Sequence, residues 1–156
     1  MTGYVLAGGL SRRFGSDKAL FPIDGEPLAV RTARILAVAG LAPVLLVART
    51  SRPLGLIELL EPDGPRHPLW GVAFALSKGE DAFFSPCDLP ELSVEQVRAL
   101  HLSGSVALGQ PLLGVLPVTR AADARAAALA GGSVRAFVAG LPVLDVGPVP
   151  NLNTPG

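Results

Sequence analysis

The chain has 156 residues, of which 49% are hydrophobic and 17% charged, and its 13 basic residues balance its 13 acidic ones. This length suits one domain with a sizeable core, and the apolar fraction excludes an intrinsically disordered chain. Zero formal net charge gives no electrostatic basis for nucleic acid or an anionic membrane as the partner. The single cysteine, Cys87, excludes an internal disulfide and cysteine-cluster metal sites, and it suits a reducing cytosol.

The sequence predicts neither a secretion signal nor a membrane-spanning segment. The first residues, MTGYVLAGG, carry no basic region ahead of an apolar run. The longest stretch without Lys, Arg, Asp or Glu, residues 99–119, contains His101, Gln110, two prolines and three glycines. Such a composition is unlike a transmembrane helix. We therefore expect a cytoplasmic protein.

Strand-like and helix-like segments alternate along the chain, which predicts an α/β domain with a mostly parallel central sheet and helices on both faces. Ser93 and Gln96 have the spacing of a capping box at a helix start. In chain order, the predicted elements are strand 4–7, helix 28–38, strands 44–48 and 56–60, helix 69–78, strand 81–85, helix 93–102, strands 105–108 and 112–118, helices 121–130 and 133–139, and strand 143–146.

Three polar segments directly follow predicted strands. They are the glycine-rich loop from Gly8, the EPDG turn at 61–64 and the PCD segment at 86–88. In open α/β sheets the ligand crevice lies at the carboxyl ends of the strands. The sequence therefore predicts that these three segments together form the functional site.

The glycine-rich loop has the composition of an anion-binding loop. Gly8 and Gly9 let the backbone approach a ligand closely and present N–H groups to it. Arg12, Arg13 and Lys18 supply the positive charge that a triphosphate needs. The loop matches neither G-x-x-x-x-G-K-[ST] nor G-x-G-x-x-G, so a bound nucleotide would be held in another way.

Residues 6–18 contain the string L-A-G-G-x-S-x-R-x-G-x-D-K. This string resembles the nucleotide-binding signature of the molybdenum cofactor guanylyltransferases, a family within the nucleotidyltransferase superfamily. Further segments resemble family motifs in the expected order, so the resemblance covers nearly the whole chain. They are P-L-x-G at 68–71, P-C-D-x-P at 86–90, Q-P-L at 110–112 and N-x-N-T-P at 151–155.

The resemblance implies a single-domain, Rossmann-like nucleotidyltransferase fold. Its nucleotide-binding half would span about residues 1–92 and its acceptor-binding half about residues 93–156. The implied activity is the Mg²⁺-dependent transfer of GMP from GTP to the terminal phosphate of molybdopterin, with release of pyrophosphate. The implied partners are these two substrates, with transient contacts to cofactor-handling proteins or molybdoenzymes.

The resemblance also implies roles for individual residues. Lys18 and Arg13 would contact the α and β phosphates and Asp88 would hold Mg²⁺, which makes these three the predicted catalytic residues. The implied nucleotide-binding residues are Leu6, Ala7, Gly8, Gly9, Arg13, Lys18, Asp63 and Asp88. The implied acceptor-binding residues are Gln110, Arg135, Asn151 and Asn153.

Several positions keep two interpretations. The family uses an acidic residue ahead of the P-L-x-G segment; Glu61 fits the more usual spacing and Asp63 the more usual residue type, and we favour Asp63. His67 and Trp70 replace small family residues, and Trp70 either stacks on guanine or packs in the interior, the second being our expectation. Cys87 is expected to be a small buried apolar residue, because no base is recognisable beside it.

Two other functions remain open from the sequence. A cytidylyltransferase acting on molybdopterin or another small phosphate is disfavoured, because those enzymes tend to read L-A-A-G and D-x-D-T-P. A non-catalytic nucleotide-binding protein is suggested by the unusual H-P-L-W-G segment and by a chain that stops at Gly156, where relatives usually continue. Lys18 and Asp88 are both present, which favours the enzyme.

Overall fold

A computed structural model describes residues 1–8 and 17–152 of the chain. The strands are β1 (Gly3–Gly8), β2 (Pro22–Ile23), β3 (Glu26–Pro27), β4 (Val44–Ala48), β5 (Glu58–Leu60), β6 (Ala82–Pro86), β7 (Val106–Ala107), β8 (Gln110–Leu116) and β9 (Val143–Leu144). The α-helices are α1 (Leu28–Val38), α2 (Pro68–Leu76), α3 (Val94–Ser103), α4 (Ala121–Ala130) and α5 (Val134–Phe137). Short 3₁₀ helices span Lys18–Leu20 and Val118–Arg120. In these described ranges, no helix combines the length and apolar character needed to cross a bilayer.

One seven-stranded sheet runs through the molecule in the order β5-β4-β1-β6-β8-β7-β9. Strands β5, β4, β1 and β6 are parallel to their neighbours in that order, and β7 is parallel to β9. Strand β8 is antiparallel to both β6 and β7. The predicted α/β class with a mostly parallel sheet is therefore confirmed.

Both faces of the sheet are covered, as a parallel sheet requires. Consecutive residues of a strand point to opposite faces, so Val5 and Phe83 pack with α1 and α3, whereas Tyr4 and Phe84 pack with α2 and α4. The rings of Tyr4 and Phe84 stack with their centroids 5.3 Å apart. The continuous apolar runs that predicted central strands are thus explained by two separate packed clusters, one on each face.

The helix ends follow from local sequence. Helix α3 begins with the predicted capping box, in which Ser93 Oγ accepts from Gln96 N at 3.2 Å and Gln96 Oε1 accepts from Ser93 N at 3.0 Å. Helix α2 begins at Pro68, and the His67 Nδ1 atom accepts from Leu69 N at 3.1 Å. Each satisfies an N–H group that the first turn of a helix leaves without a partner.

Three predicted strands are shorter in the structure. Strand β5 begins at Glu58 rather than 56, β7 spans Val106–Ala107 rather than 105–108, and β9 ends at Leu144 rather than 146. Strands β5 and β9 lie at the edges of the sheet, where hydrogen bonds to one neighbour alone set their length. The DGEP turn at 24–27 forms part of a separate two-stranded hairpin, β2 with β3, that the sequence reading did not include.

The sheet brings the predicted site segments together. Leu6 of β1 lies beside Val47 of β4 on one side and Pro86 of β6 on the other. Strands β1, β4 and β6 therefore end at the same edge of the sheet, the one formed by the carboxyl ends of the parallel strands. The turn after β5 leads into the N-terminus of α2 at that edge as well.

Candidate active site

A cavity of about 550 Å³ opens where β1, β4 and β6 end. This volume is within the range of small-molecule binding sites. Five of the predicted site residues line it, namely Leu6, Ala7, Lys18, Asp88 and Asn151. Residues from both ends of the described chain, Leu6 and Asn151 among them, thus line one cavity.

Lys18 and Asp88 form an ion pair in the wall of this cavity. The Lys18 Nζ atom lies 3.3 Å from Asp88 Oδ2, although the two residues are 70 positions apart in the chain. Both side chains are about one-fifth exposed. An ammonium and a carboxylate at the wall of an open cavity can each contact a ligand, the first a phosphate and the second a metal ion.

The first two residues of the N-x-N-T-P segment are held against Asp88. The Asn151 side chain donates from Nδ2 to Asp88 Oδ1 at 3.1 Å, and Leu152 N donates to the Asp88 carbonyl at 2.8 Å. Gln110 donates from Nε2 to Asn151 Oδ1 at 2.8 Å and to the Val149 carbonyl at 2.7 Å. Gln110 therefore reaches the site through Asn151.

The Asp88 carboxylate has the chemistry of a magnesium ligand. Mg²⁺ prefers oxygen ligands and is usually held by one or two carboxylates together with substrate phosphates and water. Within residues 1–8 and 17–152, no group of three or more His, Cys, Asp or Glu side chains is placed to hold a metal. A single carboxylate at this position, Asp88, thus suits an ion that binds together with a nucleotide.

A second acidic residue, Glu61, lines the same cavity. Its Oε1 atom lies 3.2 Å from Arg49 Nε, and burial raises its pKa above the usual value while Arg49 opposes the rise. Asp63 is exposed and is not among the residues that line the cavity. The position of Asp63 thus gives no support to the nucleotide contact predicted for it, and the spacing that favours Glu61 is the better signal.

Gly71 leaves room for that carboxylate. A Cβ atom at position 71 would lie 2.6 Å from Glu61 Oε2 and 3.0 Å from Val47 Cγ1. Glycine inside a helix costs about 0.5–1 kcal/mol relative to alanine. The glycine of the P-L-x-G segment therefore has a local reason, which is space for Glu61.

Arg49 is a cavity residue that the sequence reading missed. Besides Glu61, it donates from one terminal nitrogen to the Gly64 carbonyl at 2.7 Å and to the Pro65 carbonyl. These bonds fix the turn between β5 and α2 against the end of β4. The sequence feature that could have identified Arg49 is its position immediately after the predicted strand 44–48, at the carboxyl end of that strand.

Trp70 and Cys87 are interior residues. Trp70 Nε1 donates to the Pro62 carbonyl at 2.8 Å, and the ring borders a separate cavity of about 250 Å³ between α2 and α4. It packs in the interior rather than against the first cavity, as expected. Cys87 is buried, and burial raises the pKa of its thiol to about 12, so it is protonated at neutral pH.

The other predicted residues differ in how much the structure says of them. Gly8 is the last residue of β1, at the cavity edge of the sheet. Arg135 is exposed on α5 and is not among the residues lining the cavity. Gly9, Arg13 and Asn153 lie outside the described residues, so their predicted roles stay predictions.

Comparison with known proteins agrees with the motifs. Residues 3–140 match the family model of the MobA-like NTP transferase domain. A probable molybdenum cofactor guanylyltransferase of Synechococcus elongatus is 36% identical over 61% of this chain and 54% of its own length. The molybdenum cofactor guanylyltransferase of Rhodobacter capsulatus is 33% identical over 99% of this chain and 91% of its own length. The chain thus spans about half the length of the Synechococcus protein and most of the Rhodobacter one.

The fold is also that of a solved relative. Molybdopterin-guanine dinucleotide biosynthesis protein A from Archaeoglobus fulgidus superimposes with a TM-score of 0.77 at 19% identity, covering 93% of this chain and 82% of that one. At this identity the likeness concerns the fold, and it confirms the Rossmann-like architecture expected from the resemblance. Together with the match over residues 3–140, these findings show that the chain belongs to the MobA-like NTP transferase domain family.

Proposed function

We propose that this protein transfers GMP from GTP to the terminal phosphate of molybdopterin and releases pyrophosphate. The observation that carries this proposal is the Lys18–Asp88 pair, which places a phosphate-binding cation and a carboxylate 3.3 Å apart in one cavity. Family membership and the names of the Synechococcus and Rhodobacter relatives support guanylyl transfer. The same family membership supports a cytoplasmic location and transient contacts with proteins that handle the cofactor.

The phosphates of GTP would bind at the Lys18 end of the cavity. Lys18 would donate to phosphate oxygens in place of Asp88 and so neutralise charge that builds on the departing pyrophosphate. Asp88 would then hold Mg²⁺, which supplies further charge neutralisation when it is bound with the phosphates. The acceptor phosphate is already a nucleophile, so the protein needs to align it with the α-phosphorus rather than form a covalent intermediate.

The base would bind at the Glu61 wall, beside Leu6 and Ala7. Guanine presents two neighbouring donors, N1–H and the N2 amino group, on its pairing edge. A carboxylate has two acceptor oxygens and matches this pair of donors. The pairing edge of cytosine combines one donor group with two acceptors, and that of adenine combines one donor group with one acceptor, so neither presents two neighbouring donor groups. We therefore assign the acidic base contact to Glu61 instead of Asp63.

The acceptor would approach from the second half of the chain, residues 93–156. Leu112 of β8 and Asn151 belong to this half and line the same cavity. Their position beside Asp88 would bring the terminal phosphate of molybdopterin next to the α-phosphate of GTP. Gln110 would support this wall through its bond to Asn151.

The test is calorimetric titration of GTP, CTP and ATP in the presence of Mg²⁺, followed by assay of pyrophosphate release with molybdopterin. Lys18→Ala should weaken GTP binding about 10- to 150-fold, because a charge-assisted phosphate contact contributes roughly 1.5–3 kcal/mol. Lys78→Ala is the matched control, since Lys78 is exposed and lies over the Phe74 ring, 4.7 Å from its centroid. Tighter binding of CTP would favour the cytidylyltransferase, and GTP binding without pyrophosphate release would favour the non-catalytic protein.

A further inference from the structure

We propose that Arg52 is a positioning residue of the nucleotide site, which acts through Asp17 to hold Lys18 in place. The proposal rests on the proposed function for the identity of the ligand. Arg52 lies in the loop between β4 and β5 and is not among the residues that line the cavity. Its influence on a nucleotide would therefore be indirect.

The contact between Arg52 and Asp17 is a nearly buried ion pair. The guanidinium Nε atom of Arg52 contacts Asp17 Oδ2, and the two side chains are 6% and 11% exposed. When one partner of a buried pair is removed, the other is left as an uncompensated charge in a low-dielectric environment. The pair therefore fixes Asp17 firmly to the β4–β5 loop, across 35 residues of sequence.

The second oxygen of Asp17 caps the turn that carries Lys18. Asp17 Oδ1 accepts from Ala19 N at 3.1 Å, at the start of the 3₁₀ helix Lys18–Leu20. Leu20 N donates to the Asp17 carbonyl at 3.1 Å, and the Ala19 side chain is fully buried. One carboxylate thus joins Arg52 to the backbone on either side of Lys18.

Arg52 is itself held by its own loop. Its NH1 group donates to the Thr50 carbonyl at 2.9 Å, and its backbone N donates to Glu58 Oε2 at 2.8 Å. Ser51 Oγ donates to the other Glu58 oxygen, and these two hydrogen bonds keep the pKa of Glu58 below its usual value. A continuous series of bonds therefore runs from Glu58 of β5 through Arg52 and Asp17 to Ala19 N, in the turn that carries Lys18.

This series has a chemical consequence. Lysine is a point charge on a flexible stem, so its effect on a phosphate depends on where its backbone is anchored. Loss of Arg52 would release Asp17, loosen the turn and let Lys18 move away from Asp88. Arg52 would thus influence phosphate binding without touching the nucleotide.

The test compares Arg52→Gln, Lys18→Ala and the double variant in calorimetric titrations with whichever of GTP, CTP and ATP binds wild type best. Arg52→Gln should weaken binding about 10-fold when Lys18 is present, and it should cause little further loss in the Lys18→Ala background. Arg34→Gln is the control, because Arg34 makes an exposed ion pair with Glu26 at 2.8 Å, outside the cavity lining. Equal losses in both backgrounds, or no loss at all, would overturn the proposal.

A second measurement needs no nucleotide and so separates this proposal from the proposed function. The chain has two lysines, Lys18 and Lys78, whose acylation by an amine-reactive ester can be compared by peptide mass spectrometry. Labelling of Lys18 relative to Lys78 should rise several-fold in Arg52→Gln and stay unchanged in Arg34→Gln. If Arg52→Gln fails to fold, Asp17→Asn, which keeps a capping oxygen and removes the charge, should give the same rise. An unchanged labelling ratio in the folded variant would contradict the positioning role.

Discussion

Two ion pairs lie next to each other in the chain but in different surroundings. Asp17–Arg52 is nearly buried, whereas Lys18–Asp88 is about one-fifth exposed and borders the cavity. Buried charges have no water to replace a lost partner, so the first pair is suited to holding structure. Groups at an open cavity can exchange their partner for a ligand, which suits the second pair to phosphate and metal binding.

Removing one member of each pair should separate these roles most strongly. Arg52→Ala should lower the free energy of unfolding by about 3–5 kcal/mol, because it leaves Asp17 charged and nearly buried. Lys18→Ala should lower it by less than about 1 kcal/mol, because water reaches Asp88. Urea unfolding of both variants gives the two values. Equal losses would mean that the difference in burial has no energetic consequence.

Filling the space next to Glu61 tests the proposed contact of this carboxylate with the base. Gly71→Ala should displace the Glu61 carboxylate, since the new Cβ would lie 2.6 Å from Oε2. GTP affinity should then fall about 10- to 150-fold, the range for loss of a hydrogen bond to a charged group. Calorimetry is the measurement, and Gly132→Ala is the matched control, because its Cβ would meet neighbours at an ordinary 3.5 Å. Unchanged GTP affinity in Gly71→Ala would exclude Glu61 from base binding.

The ionisation of Glu61 gives a smaller, pH-dependent effect. Burial raises its pKa, so on acidification Glu61 takes up a proton at a higher pH than an ordinary carboxyl group does. The protonated form accepts guanine donors poorly, so GTP affinity should fall as pH decreases through this raised pKa. Raising the pH should restore it. Protein stability should change in the opposite sense, because the folded state binds more protons than the unfolded state in this window and loses stability as pH rises.

Glu61→Gln provides the reference for that pH profile. Subtracting the GTP binding free energy of Glu61→Gln from that of wild type at each pH removes the contribution of the titrating nucleotide phosphates. The remaining difference should shrink toward low pH. A difference that stays constant with pH would show that the carboxylate does not contact the base.

The smallest effect is expected at the buried thiol beside the site. Cys87 has a pKa of about 12 because of burial, so almost no thiolate is present at neutral pH. Iodoacetamide should leave the folded protein unmodified and label Cys87 after unfolding in urea. Cys87 already belongs to the cavity lining, so rapid modification of the folded protein would show that its thiol is accessible and ionised there and would reopen a nucleophilic role.

The sequence was sufficient for residues whose position depends on local pattern. The capping box of Ser93 and Gln96 lies where predicted, and β1 and β6 lie within one residue of their predicted bounds at each end, because each follows from spacing within a few residues. Lys18 and Asp88 both line the cavity, at the strand ends where the sequence places the ligand crevice, although their contact with each other was not predicted. Their common location follows from the rule that parallel strands end at one edge of the sheet.

The choice between Glu61 and Asp63 required the fold. Both residues lie in one turn, and pattern alone does not show which side chain faces the cavity. Arg49 and Arg52 were missed for a related reason. Their partners, Glu61 and Asp17, come from other segments of the chain, and such contacts depend on how the segments pack rather than on local sequence.

The most direct test of the central claim is Mg²⁺-dependent pyrophosphate release from GTP with molybdopterin, compared between wild type and Asp88→Asn. We expect turnover with GTP in preference to CTP and a loss of about 100-fold or more in Asp88→Asn, with GTP binding still measurable. Pyrophosphate release that is unchanged in Asp88→Asn would contradict the proposed function, because the Lys18–Asp88 site would then not perform the transfer.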